Sequence, residues 1–466
     1  MGARVAVVGG GISGLAAAWE LSRAAQDLTI SVLEGAERVG GKLRLAEVAG
    51  HLVDVGPESV LARRPEALTL ICELGLATEV IHPAPVGASI VSRGRRWPMP
   101  RGTLMGVPSD PDSVRGLLTD AEVGRLIAET LTPPIHHDVP LGAFIEQRLG
   151  AAVTDRIVEP LLAGVYAGHS RSLSLEMAVP ALHRAARDGI PVLEAARAAA
   201  AAASDARGPD TPVFASLRSG VGSLPLALTR RLRERGVEVR TGTTVRELRA
   251  VDGGWVLVSG PTIDEVEELF DAVVLATPAA PTARLLRTVA PRAAQALASI
   301  EYASVAIVTI AIDSSRGELA ALADSSGFLV PPAESLTIKA ATFTSTKWPA
   351  LHEHFPETTF VRASIGRHRE EATLQRPDEE LAAAALADLA TVLGQPLPDP
   401  VAVHVQRWGG GLPQYAVGHR LVVDRARAGL VPGLGLGGAA YDGVGIPACV
   451  GSGRAAARRV LAHLPD

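Results

Sequence analysis

Arg4-Val5-Ala6-Val7-Val8-Gly9-Gly10-Gly11-Ile12-Ser13-Gly14-Leu15 reads as a buried strand that runs into a glycine turn and then the start of a helix. In that setting the glycines Gly9, Gly11 and Gly14 have separate tasks. One permits the tight turn, one lets a pyrophosphate approach the backbone, and one lets helix and strand pack closely. The free N–H groups at the helix start add positive potential. The helical pattern continues from Leu15 to Arg23, a second strand follows from Leu28 to Leu33, and Glu34 closes it twenty residues beyond Gly14. A carboxylate there is placed to accept hydrogen bonds from a ribose. Strand, turn, helix and strand in this order open a parallel, doubly wound sheet. The fingerprint by itself leaves FAD and NAD both open.

Two further loops extend the pattern. Glu37-Arg38-Val39-Gly40-Gly41-Lys42-Leu43-Arg44 puts a second glycine pair and basic residues directly after the ribose acid, which suggests a loop folded over a larger dinucleotide. Asp54-Val55-Gly56-Pro57-Glu58-Ser59 is either a loop whose glycine turns N–H groups toward a cofactor or an ordinary Gly-Pro turn. A Pro- and Gly-rich region follows over 82–111, and Thr119-Asp120-Ala121-Glu122 then has the form of a capping box. An Ala-rich run ending in Ser204-Asp205-Ala206-Arg207-Gly208-Pro209 is expected to be a junction. From Phe214 strands and helices alternate again, with a helix at Leu224 to Glu234 and strands at Val237 to Arg240, Trp255 to Val258 and Ala272 to Ala276. Ala303 to Ile312 suggests a second sheet of different character, and Asp378 to Leu393 reads as a late helix with Leu381, Ala385, Leu389 and Val392 on one face.

Composition excludes several classes of function. At 466 residues, 47% hydrophobic and 20% charged, the chain can bury ample core and suggests two or three cooperating units. A net charge of -5 without a block of like charge leaves no footprint for nucleic acid. Cys72 and Cys449 make no disulfide framework, and no Cys and His cluster has zinc spacing, so no metal is expected. Neither a signal-peptide pattern nor an apolar run long enough to span a membrane is present, and a cytoplasmic protein is expected. A peripheral contact with membrane or a partner enzyme would fall to Trp97–Leu104. Lys42, Lys339 and Lys347 are the only lysines, so arginine carries nearly all the positive charge and an arginine pair is weak testimony for anion binding.

The glycine-rich opening, Glu34, Arg38 to Lys42 and Gly56 to Ser59 resemble the flavin amine oxidase superfamily. Later segments are similar to its protoporphyrinogen and coproporphyrinogen III oxidase branch. These are Glu159-Pro160-Leu161-Leu162-Ala163-Gly164-Val165-Tyr166-Ala167-Gly168, Leu217-Arg218-Ser219-Gly220, Thr346-Lys347-Trp348-Pro349, Leu412-Pro413-Gln414-Tyr415 and the run from Gly437 to Cys449. The resemblance implies α/β with α+β architecture: a discontinuous Rossmann-type FAD-binding domain (1–80, 213–290 and 425–466), a mixed-sheet substrate domain (81–100 and 291–424) and a helical insertion (101–212). It implies non-covalent FAD held by Gly9, Gly10, Gly11, Ile12, Ser13 and Gly14 at the pyrophosphate and by Glu34 and Gly35 at the ribose. Lys42, Gly56, Pro57, Glu58 and Ser59 would approach the flavin, Val245 the adenine, and Trp408, Val444, Gly445 and Ile446 the ring.

The implied reaction is oxidation of a porphyrinogen to a porphyrin in heme biosynthesis. Six electrons leave in three rounds, with hydride passing to the flavin and molecular oxygen leaving as hydrogen peroxide. Because aromatisation drives the sequence, no catalytic acid and base pair is needed, and Gly164 is a candidate backbone contact with the macrocycle. An apolar slot with cations at its rim would take the propionates. Arg63 and Arg64 are the candidates for that, ahead of Arg95, Arg96 and Arg101. His169 departs from the acidic or amide residue expected after Tyr166-Ala167-Gly168, and His136 and His137 read as loop residues. Coproporphyrinogen III is the expected substrate and protoporphyrinogen IX the alternative. An amine oxidase or carotenoid desaturase, for which Lys339 and Tyr441 would matter, and a non-enzymatic escort-type binding protein are the readings from other classes.

Overall fold

The computed structural model describes residues 2–24, 27–205, 212–315 and 320–464. Strands β1 (Arg4–Val8), β2 (Thr29–Leu33), β3 (Glu238–Arg240), β4 (Ala272–Leu275) and β5 (Leu434–Leu436) form one sheet in the order β3-β2-β1-β4-β5. Every pairing in it is parallel, with Val5 opposite both Ile30 and Ala272. A parallel sheet must be covered on both faces, and β1 shows how this is met. Val5 and Val7 point into one apolar cluster, Ala6 and Val8 into another.

The first cluster packs one face of β1 against helix α1 (Ile12–Ala24) and the last helix, α2 (Ile446–Leu461), together with Leu224–Glu234. The approach of the two terminal helices is close enough to require glycine: a Cβ on Gly453 would lie 2.0 Å from the Ser13 carbonyl oxygen. Both ends of the chain therefore build the same layer. The second cluster covers the other face with a three-stranded antiparallel sheet (Val245–Val251, Gly254–Ser259, Val266–Phe270) and the helices Ala279–Leu286, Pro291–Ala298 and His419–Ala428. Ala293, Leu297 and Val423, which the expected bounds give to the substrate domain, pack in this core.

The predicted strand at Ala303 to Ile312 is Tyr302–Asp313, and it lies in a seven-stranded, mostly antiparallel sheet. Its neighbours are Ala402–Pro413 and Thr358–Ile365, and Ser89–Ser92 and Arg95–Pro98 close the far edge. The helix Asp378–Leu393 covers one face through Leu381, Ala385 and Leu389, as its pattern predicts. A third core belongs to the helices between Asp120 and Ala196. There the capping box is present, with Thr119 and Glu122 each satisfying the other's backbone N–H. Trp97, Met99 and Leu104 are half-buried against this core, and the Trp97 indole donates to the Ser92 carbonyl at 3.1 Å, so the segment is no exposed apolar patch. Of the expected junction, Ser204 and Asp205 end the helix Val192–Asp205, and Ala206 to Pro209 lie outside the described residues. Among the described residues no helix is long and apolar enough to cross a membrane.

Candidate active site

In an open α/β sheet, ligands bind beyond the carboxyl ends of the strands. A cavity of about 780 Å³ lies there, lined by Gly9 after β1, Glu34 after β2, Thr243 to Val245 after β3, Ala276 and Thr277 after β4, and Gly438 after β5. The volume falls within the ~300–1,000 Å³ of ligand sites. Trp408 and Leu412 from the second sheet, and Val444, Gly445 and Ile446 at the start of α2, form further wall.

The three fingerprint glycines divide their work as the motif requires. Gly9 adopts φ +107°, and a Cβ on it would sit 2.9 Å from the Ala276 carbonyl oxygen. A Cβ on Gly14 would lie 1.9 Å from the Gly9 carbonyl oxygen, so this position holds helix against turn. Gly11 lines the cavity, and a Cβ there would meet nothing within 4 Å. That open space is the cradle a pyrophosphate needs. Ile12 and Ser13 continue the lining at the start of α1, where N–H groups remain free.

Glu34 accepts from the Gly10 N–H at 2.6 Å and from the Ala36 N–H at 2.8 Å. These bonds fix the carboxylate at the rim and use two of its roughly four acceptor sites, leaving the others able to accept from the hydroxyls of a ligand. Gly35 beside it faces Thr244, whose hydroxyl would be 3.0 Å from an added Cβ. The Gly40-Gly41 loop folds back on the glycine turn, with the Gly40 N–H donating to the Gly10 carbonyl at 2.8 Å. Beyond it Lys42 and Cys449 line the cavity together. Burial lowers the Lys42 amine from its ordinary value against a raising contribution from Cys449, and burial raises the Cys449 thiol.

Gly56 packs where no side chain fits, since a Cβ would lie 2.1 Å from the Lys42 carbonyl oxygen. The Trp408 indole is braced by donating to the Val55 carbonyl at 3.1 Å, and Pro57 completes this wall. The Asp54 carboxylate ties the loop to the Leu217-Arg218-Ser219-Gly220 motif by accepting from the Val221 and Gly222 N–H groups at 3.0 and 2.7 Å.

The family model of flavin containing amine oxidoreductases matches residues 12–461. The chain belongs to that family. A coproporphyrinogen III oxidase of Mycobacterium tuberculosis is 38% identical over 98% of this chain and 97% of its own length. A protoporphyrinogen oxidase of Bos taurus is 31% identical over all of both chains. A crystal structure from Exiguobacterium sp. 255-15 superposes with a TM-score of 0.86 at 32% identity, covering both chains completely.

As a member of this family the protein is a flavin-dependent oxidoreductase with FAD as cofactor, and the resemblance read from its motifs holds. A non-enzymatic escort role is thereby set aside. Of the expected cofactor residues, Gly9, Gly11, Ile12, Ser13, Glu34, Gly35, Lys42, Pro57, Val245, Trp408, Val444, Gly445 and Ile446 line the cavity. Gly10, Gly14 and Gly56 stand behind it as packing and hydrogen-bonding positions. Ser59 does not line it.

Glu58 is turned to a different task. Its carboxylate sits 2.7 Å from the Lys347 amine and 2.9 Å from the Arg362 guanidinium, away from the cavity. Burial alone would raise its pKa, but the two cations outweigh that and hold it at about 2. The expectation for Arg63 and Arg64 also changes. Arg64 is paired with Glu66 at 2.5 Å, Arg63 is exposed, and neither lines the cavity. Arg96 pairs with Asp324 at 3.7 Å, while Arg95 stacks over Trp97 and Arg101 is exposed.

Thr243, Thr244 and Tyr302 were not singled out by the motifs. The loop after β3 lines the cavity because β3 pairs with β2, a neighbour relation with no local signature. The Tyr302 hydroxyl accepts from the Ala279 N–H at 2.7 Å, which anchors a side chain on the cavity wall. Asp138, Glu176 and His183 bring ligand atoms within 4.8 Å of one another, a grouping that sequence spacing missed. In the structure Asp138 accepts from the N–H groups of Val139, Glu176 and Gly418, pinning the helical insertion to the segment before His419.

His136 and His137 lie in a loop, as expected. His169 bridges two acids, with Nδ1 3.3 Å from Glu159 and Nε2 3.3 Å from Glu370. The Glu159 hydrogen bond raises its pKa, opposing the burial that lowers it. A raised folded value means the imidazolium stabilises the native state fully below the unfolded value of about 6.5, and that this is lost as pH rises through the folded value. The melting temperature of the native protein should therefore fall above about pH 6.5 more steeply than that of His169→Gln. Identical slopes in scanning calorimetry would show that the bridge contributes no charge.

Proposed function

We propose that the protein is a coproporphyrinogen III oxidase, which dehydrogenates coproporphyrinogen III to coproporphyrin III and passes the electrons to molecular oxygen. Each of three rounds removes two electrons and two protons and converts one O₂ to H₂O₂, so that six hydrogens leave and the macrocycle becomes aromatic. The observation that carries the reading is the likeness to the mycobacterial coproporphyrinogen III oxidase along nearly the whole chain. The lower identity to the bovine protoporphyrinogen oxidase makes protoporphyrinogen IX the second reading.

FAD, when bound, supplies the two-electron acceptor, so the chain's own part is to bind, orient and exclude water. Glu34 is the only carboxylate among the described lining residues, and its bonds to Gly10 and Ala36 hold it at the rim, where it would accept from a ribose. Among the described lining residues no second carboxylate joins the wall formed by Trp408, Leu412 and Val444, which suits a reaction driven by aromatisation. Gly164 is exposed, and a Cβ on it would meet only the Leu329 side chain, at 3.5 Å. Helix packing therefore does not demand glycine there, which supports a flat ligand passing close to the backbone. For an amine oxidase the aromatic wall is thin: Lys339 is not in the lining, and Tyr441 is buried in the core behind β4 and β5.

Both porphyrinogens, prepared anaerobically, are to be mixed with the yellow protein in air while porphyrin fluorescence is followed. Faster turnover of the four-propionate substrate, with peroxide released, is the expected result. Preference for protoporphyrinogen IX would favour the second reading, and rates no higher than spontaneous oxidation with FAD bound would overturn both.

A further inference from the structure

Four propionates need cations, and of the two arginines that follow the cofactor loops Arg64 is paired with Glu66, while Arg63 is exposed and outside the cavity lining. Two buried and incompletely matched cations, Lys339 and Arg367, lie where helix Glu159–Tyr166 meets the second sheet. Lys339 is 3% exposed and Arg367 5%, yet the Lys339 amine has no hydrogen bond or ion pair among the described residues. Arg367 donates from Nη2 to the Val330 carbonyl at 3.1 Å, and its buried Nε has no partner.

The acids nearby do not balance these cations. Glu159 is committed to His169 and to the Ser170 N–H at 2.8 Å. Glu370, 46% exposed, stands 3.8 Å from Arg367 and is shared with His169. Burial and the Arg367 charge push the Lys339 pKa down to about 7 against a raising contribution from Glu370. A buried ammonium without a counter-ion is costly, and an arriving anion removes that cost.

Neither side chain lines the cavity, but the segments beside them reach its wall and the exposed Gly164. The His368 N–H, next to Arg367, donates to the Ala167 carbonyl at 2.7 Å, and Ala167 packs with Trp408 and Leu412 of the cavity wall. Ala340, next to Lys339, pairs with Leu329, the residue that faces the exposed Gly164. Lys339 itself is the extra residue of a bulge, lying between Ile338 opposite Ile365 and Ala340 opposite Ser364. Bulges redirect a side chain out of the regular alternation.

We infer that Lys339 and Arg367 form a carboxylate subsite that takes one propionate arm of the substrate at the junction of the helical insertion and the second sheet. This rests on the porphyrinogen reading above. The test uses FAD-loaded protein and coproporphyrin III, the unreactive product, with its tetramethyl ester as the uncharged control, binding being followed by fluorescence.

Lys339→Met should weaken coproporphyrin binding about tenfold, the worth of one charge-assisted contact. Ester binding and flavin absorbance should stay unchanged, and Lys339→Arg should restore most of the loss. Because the amine is buried without a partner, the Met variant should melt no lower than the native protein, whereas a purely structural lysine would lower the melting temperature. Arg367→Gln should give the same split between acid and ester. Equal affinities in native and Met proteins, or parallel losses for acid and ester, would overturn the subsite. Lysine-dependent coproporphyrin binding without porphyrinogen turnover would support the subsite and sink the reaction, while a native protein that does not bind coproporphyrin at all would overturn both.

Discussion

Gly11→Val is expected to give a folded protein that has lost its FAD, whereas Gly14→Val is expected to give no folded protein at all. The two positions belong to one motif but meet different neighbours. A side chain at Gly11 enters open cavity space, with no protein atom within 4 Å of its Cβ, so the protein without cofactor pays nothing for it. The added methyl groups take the volume through which a pyrophosphate must pass to reach the free N–H groups of α1. A weakening of at least about a hundredfold, roughly 2.7 kcal/mol, should follow. At Gly14 the same change drives a Cβ to 1.9 Å from the Gly9 carbonyl oxygen and 3.2 Å from the Ala276 Cβ, where backbone would have to move. Overpacking of this kind exceeds the usual ~1–3 kcal/mol because no flexible side chain can yield. Flavin absorbance with circular dichroism separates the cases. A yellow, fully occupied Gly11→Val protein would mean that the pyrophosphate does not cross the turn there.

The same contrast shows what local sequence can reveal. Strand, turn and helix are consecutive, and the job of each glycine follows from its place in that unit, so Gly9 to Gly14 and Glu34 could be read directly. The capping box at Thr119 and the helix Asp378–Leu393 were equally local. The join between α1 and α2 was implied only through the resemblance at Gly437 to Cys449, because it brings Ser13 against Gly453 from opposite ends of the chain. Charge pairing was the least readable property. Glu58 meets Lys347 and Arg362, 289 and 304 residues away, and nothing beside Glu58 in sequence distinguishes that outcome from a cofactor contact. Arg64, by contrast, finds its partner two residues on at Glu66, and the abundance of arginine hid so ordinary a role. Lys339 depends on a bulge in a sheet whose strands come from distant parts of the chain, and pattern alone treats it as one more strand residue.

Glu58→Gln should be among the most destabilising changes at the contact between the nucleotide layer and the second sheet. The Glu58 side chain is only 11% exposed, and it compensates two cations held by the second sheet and the helix beside it. Arg362 also donates to the Gly56 carbonyl, so the ion cluster fixes the loop that backs Lys42 and Trp408. Removing one member of a buried cluster strands the opposite charges and costs about 3–5 kcal/mol, whereas replacing all members with apolar groups of similar volume is often neutral. The Gln variant should therefore unfold at much lower denaturant, and the triple variant Glu58→Leu, Lys347→Met, Arg362→Met should recover most of the loss. The acid limb gives a second check. With a folded pKa of about 2, the Glu58 contribution is fully present above the unfolded value near 4.3 and is lost as pH falls through 2, so native protein, but not the triple variant, should lose stability across that window. If Glu58→Gln instead keeps full stability and purifies without flavin, the carboxylate serves the cofactor after all, and the cluster with Lys347 and Arg362 is incidental.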